Sequence, residues 1–367
     1  MAAMCFQGYH IPHGRYELGG INLARIAYGG HKGHNPRDFL AFWLNELGYD
    51  VLAISYPLEM QGSSPLAADL AQRPHFGIVD WGEQIARTTR KVIDENKLAG
   101  IHNNQIILVA WSMAGKILEP FTLAAKRYDL DPRLFVSLAA TPAGIRRLPP
   151  VPPRLHDTEA GYAAGSSSSV EGMLRQVRQQ AQRSGTSAAI IDDEAYLREY
   201  FGHTPISLTN AGMKYCPSSV RTGQGQLESS FIPSEYDNPR EAGPTDEDFT
   251  IYPSIAASRP SSPADLRHAL TDAAAWGLVL TLKLTADVMR AVGSGTSLSF
   301  SLREDVWDEV QNLESPAPGY QTNETVRGNH FFFLGATGTR KTAETIDRLF
   351  DRAESIGVKL GGLLCST

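Results

Sequence analysis

Apolar positions in the first part of the chain form short blocks of two different periods, separated by glycine, proline and polar turns. Ala24–Tyr28 is a short apolar run closed by Gly29 and Gly30 and predicts a strand. Asp38–Leu47 then sets Phe39, Phe42, Trp43 and Leu47 at helical spacing. Val51–Tyr56 is β-branched and aromatic, stops at Pro57 and predicts a second strand, while Ile78–Ile93 carries Ile85, Val92 and Ile93 on one side of a helix. Ile106–Trp111 predicts a third, buried strand, followed by a helix from about Gly115 to Arg127 and a fourth strand at Leu134–Leu138. The order βαβαβαβ implies an α/β fold: a mostly parallel central sheet with helices on both faces.

The texture changes after Thr141. Pro142, Pro149, Pro150, Pro152 and Pro153 crowd one stretch, and Ser166–Ser169 is a serine run. Amphipathic pieces such as Val170–Arg183 and Glu194–Phe201 follow, with no sustained strand alternation. Long structureless connections are uncommon in compact domains, so residues 148–264 predict an inserted, mainly helical cap between two parts of one core, 1–147 and 265–367. In the second part, Asp265–Val292 predicts mainly helix, Ser297–Leu302 a strand, Glu324–Arg327 another, and Thr342–Ile356 a closing helix. Leu278–Leu284 suits either a buried strand or the middle of a helix.

Composition narrows the function. A chain of 367 residues with 42% hydrophobic residues can bury a sizeable core, and a net charge of −6 argues against a surface built for nucleic-acid phosphates. Cys5, Cys216 and Cys365 have no metal-ligand or paired spacing, which points to a reducing, cytoplasmic setting. The N-terminus lacks a basic segment with an apolar run, and no apolar stretch is long enough for a bilayer. His10 with His13 and His31 with His34 are close pairs without further ligands, so no metal is expected. Gly335–Thr342 looks like a phosphate loop, but Arg340 stands where Walker A needs its second glycine, and a loop leading into a helix is expected instead.

The chemistry concentrates at Ala110-Trp111-Ser112-Met113-Ala114, which follows the strand Ile106–Trp111 and precedes a helix. A serine at the tip of a sharp strand-to-helix turn sits in a strained backbone, so the residues two before and two after must be small. Ala110 and Ala114 meet that demand where glycine is usual. The hydroxyl would then lie at a helix N-terminus, where unpaired N–H groups favour developing negative charge. A buried strand followed by an ordinary serine N-cap would give the same five letters.

With its flanking strand and helix and the preceding βα units, this segment resembles the α/β-hydrolase superfamily, over roughly Gly20–Ala140 and Asp265–Thr367. The resemblance implies a nucleophile, an acid and a histidine in that chain order, with Ser112 as nucleophile. His330, in the turn Val326–His330 before the closing helix, matches the family's histidine. Asp305, directly after the strand Ser297–Leu302, matches the acid, and Asp287 replaces it if Leu278–Leu284 is the strand. The oxyanion hole would use the backbone N–H of Met113 with one from the glycine turn at Gly30 and His31.

These residues describe a serine hydrolase that opens an ester, thioester, lactone or amide through an acyl-enzyme, without a cofactor. The expected partner is a small or medium apolar molecule under the cap, with no nucleic acid or membrane, and a homodimer as the one protein assembly considered. The elbow and the Ser/Pro-interrupted insertion are similar in style to hydrolases of fungal natural-product pathways. That similarity implies polyketide-type substrates, or the same fold used as a cyclase or acyltransferase. A non-catalytic ligand-binding protein remains the reading from a different class.

Overall fold

The computed structural model describes residues 2–7, 20–60, 76–100, 105–140, 142, 162–163, 167–185, 189–205, 208, 213–215, 231–233, 254–260, 265, 268–279 and 323–365. It is a mixed helix-and-strand fold. In chain order the first elements are β1 (Ala2–Gln7), β2 (Gly20–Ile21), α1 (Leu23–Tyr28), α2 (Leu40–Glu46), β3 (Val51–Ala53), β4 (Glu59–Met60) and α3 (Ile78–Leu98). Next come β5 (Gln105–Ser112), α4 (Leu118–Arg127), β6 (Asp131–Leu138), β7 (Tyr162–Ala163), α5 (Ser167–Arg183), α6 (Asp193–Ala195) and β8 (Phe201–Pro205). The last are β9 (Met213–Tyr215), β10 (Phe231–Pro233), β11 (Ser254–Pro260), α7 (268–279), β12 (Asn323–Val326) and α8 (Ala336–Cys365).

Six of these strands make one sheet in the order β12-β11-β6-β5-β1-β3, and every pairing in it is parallel. β5 lies inside it, and the alternating positions Ile106, Leu108, Ala110 and Ile107, Val109, Trp111 are all buried, so both faces of this strand are covered. That accounts for its near-continuous apolar sequence. β5, α4 and β6 form one βαβ unit, and α8 packs on β6, β11 and α2. A smaller antiparallel group, β2, β8, β4 and β7, ties the segment after α6 to loops of the first part of the chain. Among the described residues no helix is long and apolar enough to cross a membrane.

Three expectations change. Residues 24–28 are helix, not strand: the Asn22 side chain accepts the Arg25 N–H, Leu23, Ile26 and Ala27 fall on one buried face, and Gly29, at φ 72°, closes the helix by donating to the Arg25 carbonyl. The strand of that region is instead β1, whose Gln7 stands in register with Ser112. Likewise, Ser254–Pro260 was expected in the inserted segment 148–264, whereas β11 is a strand of the main sheet between β6 and β12. Ser297–Leu302 lies outside the described residues. Gly335 leads directly into α8, so the expected loop at 335–342 is mostly helix, with the Ala336 N–H capped by Asp38 from the first part of the chain.

α3 and α4 meet at Gly82, where an added Cβ would come 2.7 Å from the Pro120 Cβ and 2.8 Å from the Phe121 backbone nitrogen. Gly82→Ala gains up to about 1 kcal/mol of helix propensity, but overpacking against backbone costs about 1–3 kcal/mol. Since α4 begins just beyond the serine turn, the expected outcome is a Tm lowered by a few degrees, measured by calorimetry; an unchanged or raised Tm contradicts this packing.

Candidate active site

β5 ends at Ser112, whose backbone takes φ 57° and ψ −119°, and a 3-10 turn, Met113–Ile117, begins at the next residue. A non-glycine residue held there is strained by about 1–3 kcal/mol and persists only where its surroundings fix it. Here they do: Ala110 and Ala114 are fully buried on either side, small enough for strand and turn to approach, and β5 is held by β1 and β6. Ser112 itself is 3% exposed.

Parallel strands bring their C-terminal ends to one edge of a sheet, so the residues following β5, β11 and β12 emerge on the same side. Ser112 closes β5, Asp265 follows β11, and His330 follows β12. β12 and β5 are three strand spacings apart, about 14 Å at ~4.8 Å each, so the histidine turn must run back across the edge. Trp111 anchors that return: its Nε1–H donates to the His330 carbonyl at 3.0 Å, and its ring packs against His330, Phe331 and Phe333 with centroids 5.0–5.1 Å away.

The turn is built to be rigid. The Asn329 side chain accepts the Phe331 N–H at 2.9 Å and donates to the Gln176 carbonyl of α5 at 2.8 Å. Phe331, Phe332, Phe333 and Leu334 are fully buried. Gly328 has φ 156°, and a Cβ there would lie 2.5 Å from the Phe332 Cβ, so this tight corner needs glycine.

The partner of His330 is Asp265. Its Oδ2 lies 2.5 Å from His330 Nδ1, a contact between residues 65 apart in sequence. Asp265 also accepts the backbone N–H of His268, at the start of α7. One turn on, His268 Nδ1 lies 2.9 and 3.0 Å from the two oxygens of buried Asp272, and the His268 and His330 rings pack at 5.1 Å. Burial alone would raise the Asp265 pKa, but the charges of His330 and His268 and the hydrogen bonds from both outweigh it and hold the carboxyl at about 2. For His330, burial dominates over the attraction of Asp265 and lowers the imidazole below its ordinary 6.5, so the ring is neutral at neutral pH.

Asp265, His268 and His330 bring ligand-type atoms within 4.8 Å of one another, which raises the question of a metal. An ion bonded at about 2.0–2.2 Å to both Nδ1 and Oδ2 would hold those atoms roughly 3 Å or more apart. They are 2.5 Å apart, in direct hydrogen-bond contact, so an ion could not bridge these two atoms as they stand.

Ser112 and His330, expected from the sequence, are thus joined through Trp111. Asp305 and Asp287 lie outside the described residues, and the place at His330 Nδ1 is held by Asp265, expected from the sequence as the start of a helix. A usable signal was present: Asp265, His268 and Asp272 recur at helical spacing on one face. Met113 begins the turn after Ser112. Gly30 and His31 follow helix α1 rather than a strand, so the premise that set them beside the serine does not hold; His31 Nδ1 is 2.6 Å from the Tyr200 hydroxyl.

No protein-family model matches the chain, and no curated protein matches it. Among solved structures, the chain is similar to RedJ, a thioesterase from the prodiginine biosynthetic pathway of Streptomyces coelicolor, at 12% identity over 96% of this chain and 90% of that one, with a TM-score of 0.33. It is also similar to RedJ with a PEG molecule bound in the active site, at 13% identity over 96% and 92%, with a TM-score of 0.32. Similarity at this level carries nothing about the site, whose reading rests on its own geometry.

The lowered imidazole makes a stability prediction. Above pH 6.5 His330 is neutral both folded and unfolded; below it, the unfolded chain takes up a proton that the folded one resists, so stability falls as pH drops from about 6.5 towards the folded pKa. The Asp265 contribution is lost lower, between its ordinary 3.8 and about 2. Melting from pH 8 to 5 is expected to show the first loss in the native protein and a flatter dependence in His330→Gln. Equal slopes would mean that His330 is not buried neutral.

Proposed function

We propose that this protein is a serine hydrolase in which Ser112 forms an acyl-enzyme, His330 is the base and Asp265 orients it. The observation that carries this reading is the strained backbone of Ser112 at the end of a buried parallel strand, a conformation without structural benefit of its own.

In this reading the Ser112 Oγ attacks an acyl carbonyl while Nε2 of neutral His330 takes its proton. Asp265 accepts the Nδ1–H, which fixes the tautomer with the lone pair on Nε2 and stabilises the imidazolium that forms. The oxyanion then meets the backbone N–H of Met113 at the start of the 3-10 turn. His330 returns the proton to the leaving group, and water or another nucleophile releases the acyl chain. Buried aromatic and aliphatic surroundings favour an ester or thioester of a small or medium apolar acid. The second reading, acyl transfer or cyclisation, uses the same acyl-enzyme; it is favoured by the burial of both Ser112 and His330, which limits access of bulk water.

Ser112→Ala is expected to lose fluorophosphonate labelling and to lower p-nitrophenyl ester turnover by roughly 10³-fold or more. Asp265→Asn is expected to lower kcat by about 10³–10⁴-fold through the wrong tautomer, whereas Asp305→Asn stays near the native rate. Full labelling in S112A sinks the serine reading, and a large loss in D305N with none in D265N moves the acid to Asp305. Turnover in ¹⁸O-labelled water separates hydrolysis from transfer, since only hydrolysis puts the label in the acid.

A further inference from the structure

We propose that His268, held by Asp272, is a positioning residue that fixes the orientation and charge environment of the His330–Asp265 pair. The proposal deepens the reading of His330 as base and rests on it.

A buried carboxylate must find donors, and Asp272, 1% exposed, has both oxygens within 3.0 Å of one nitrogen, His268 Nδ1. The His268 ring is therefore clamped from one side. The ring also packs against that of His330 at 5.1 Å with an interplanar angle of 33°, and the His268 main-chain N–H holds Asp265. One residue thus touches both members of the pair, through its ring and through its backbone. A second imidazole–carboxylate unit tied this closely to the first exceeds what packing requires; an apolar side chain would fill the same space without a buried charge to satisfy.

The groups around His330 give the arrangement an electrical sign. Asp265 and Asp272 favour its protonated form, and His268 opposes it. From β5 it faces the Trp111 ring, and from α5 the neutral main-chain carbonyl of Gln176 accepts from the adjacent Asn329 side chain. Two substitutions remove charge while keeping the hydrogen bond: Asp272→Asn still accepts from Nδ1, and His268→Asn still donates to Asp272.

The test is the protonation midpoint of His330, followed by ¹⁵N NMR of histidine-labelled protein and assigned by loss of the signal in His330→Asn. D272N is expected to lower the midpoint by about one pH unit and H268N to raise it, shifts of the size that a neighbouring charge within 4–6 Å produces. A merely structural role leaves both midpoints at the native value, and that result, or shifts in the same direction, overturns the proposal. Should D272N lack a cooperative melt, H268N decides alone: a raised midpoint supports the proposal, and an unchanged or lowered one overturns it. The same titrations in S112A protein, alongside fluorophosphonate labelling of the native chain, keep the two ideas apart. Failure to label sinks the serine reading while the midpoints still judge His268.

Discussion

The hydrogen bond from the Trp111 indole to the His330 carbonyl is the constraint on which the site depends, because it joins residues 219 positions apart across the edge of the sheet. Both partners are buried, so either group left alone would carry the desolvation penalty of about 1–3 kcal/mol. The indole also packs against three rings of the turn in tilted and edge-on contacts. Since Trp111 is the residue before Ser112, the contact that fixes the histidine turn also fixes the strand end that presents the serine. The position of one cannot drift without the other.

The strain at Ser112 follows from the same construction. A left-handed backbone at a non-glycine residue is tolerated because β5 is buried on both faces and paired on both edges, so the strand end has no lower-energy alternative that keeps its neighbours satisfied. Ala110 and Ala114 are the sequence's contribution: larger side chains would force strand and turn apart. Glycine at Gly328 performs the equivalent service for the histidine turn, where Phe332 leaves no room for a Cβ.

Much of this was legible in the sequence, for physical reasons that also explain the rest. β5, β6, α3 and α5 were readable because long buried strands are nearly all apolar and long half-buried helices keep their period; Ser112 stands at the end of β5 and His330 in the turn after β12. α1 was misread because a run of only a few apolar residues satisfies both periods, and the deciding feature was the Asn22 cap rather than the run. β11, Ser254–Pro260, went unrecognised because it is built of serine and alanine, with little of the β-branched signal that marks a strand. The expected acid, Asp305, lies outside the described residues. Once β11 takes its place between β6 and β12, Asp265 is the carboxylate that emerges beside the histidine.

The sheet order also explains why Asp265 and His330 arrive from adjacent strands while Ser112 comes from farther away. β11 and β12 are neighbours, so Asp265 and His330 can meet directly, and their contact is the short, buried one. β6 separates β11 from β5, and the gap to the serine strand is closed by side chains of the histidine turn rather than by backbone pairing. α7, starting just beyond Asp265, then packs the His268 ring against the same imidazole, with Asp272 bonded to His268. His330 is therefore held on its carboxylate side by Asp265 and on the side of Ser112 by the Trp111 indole.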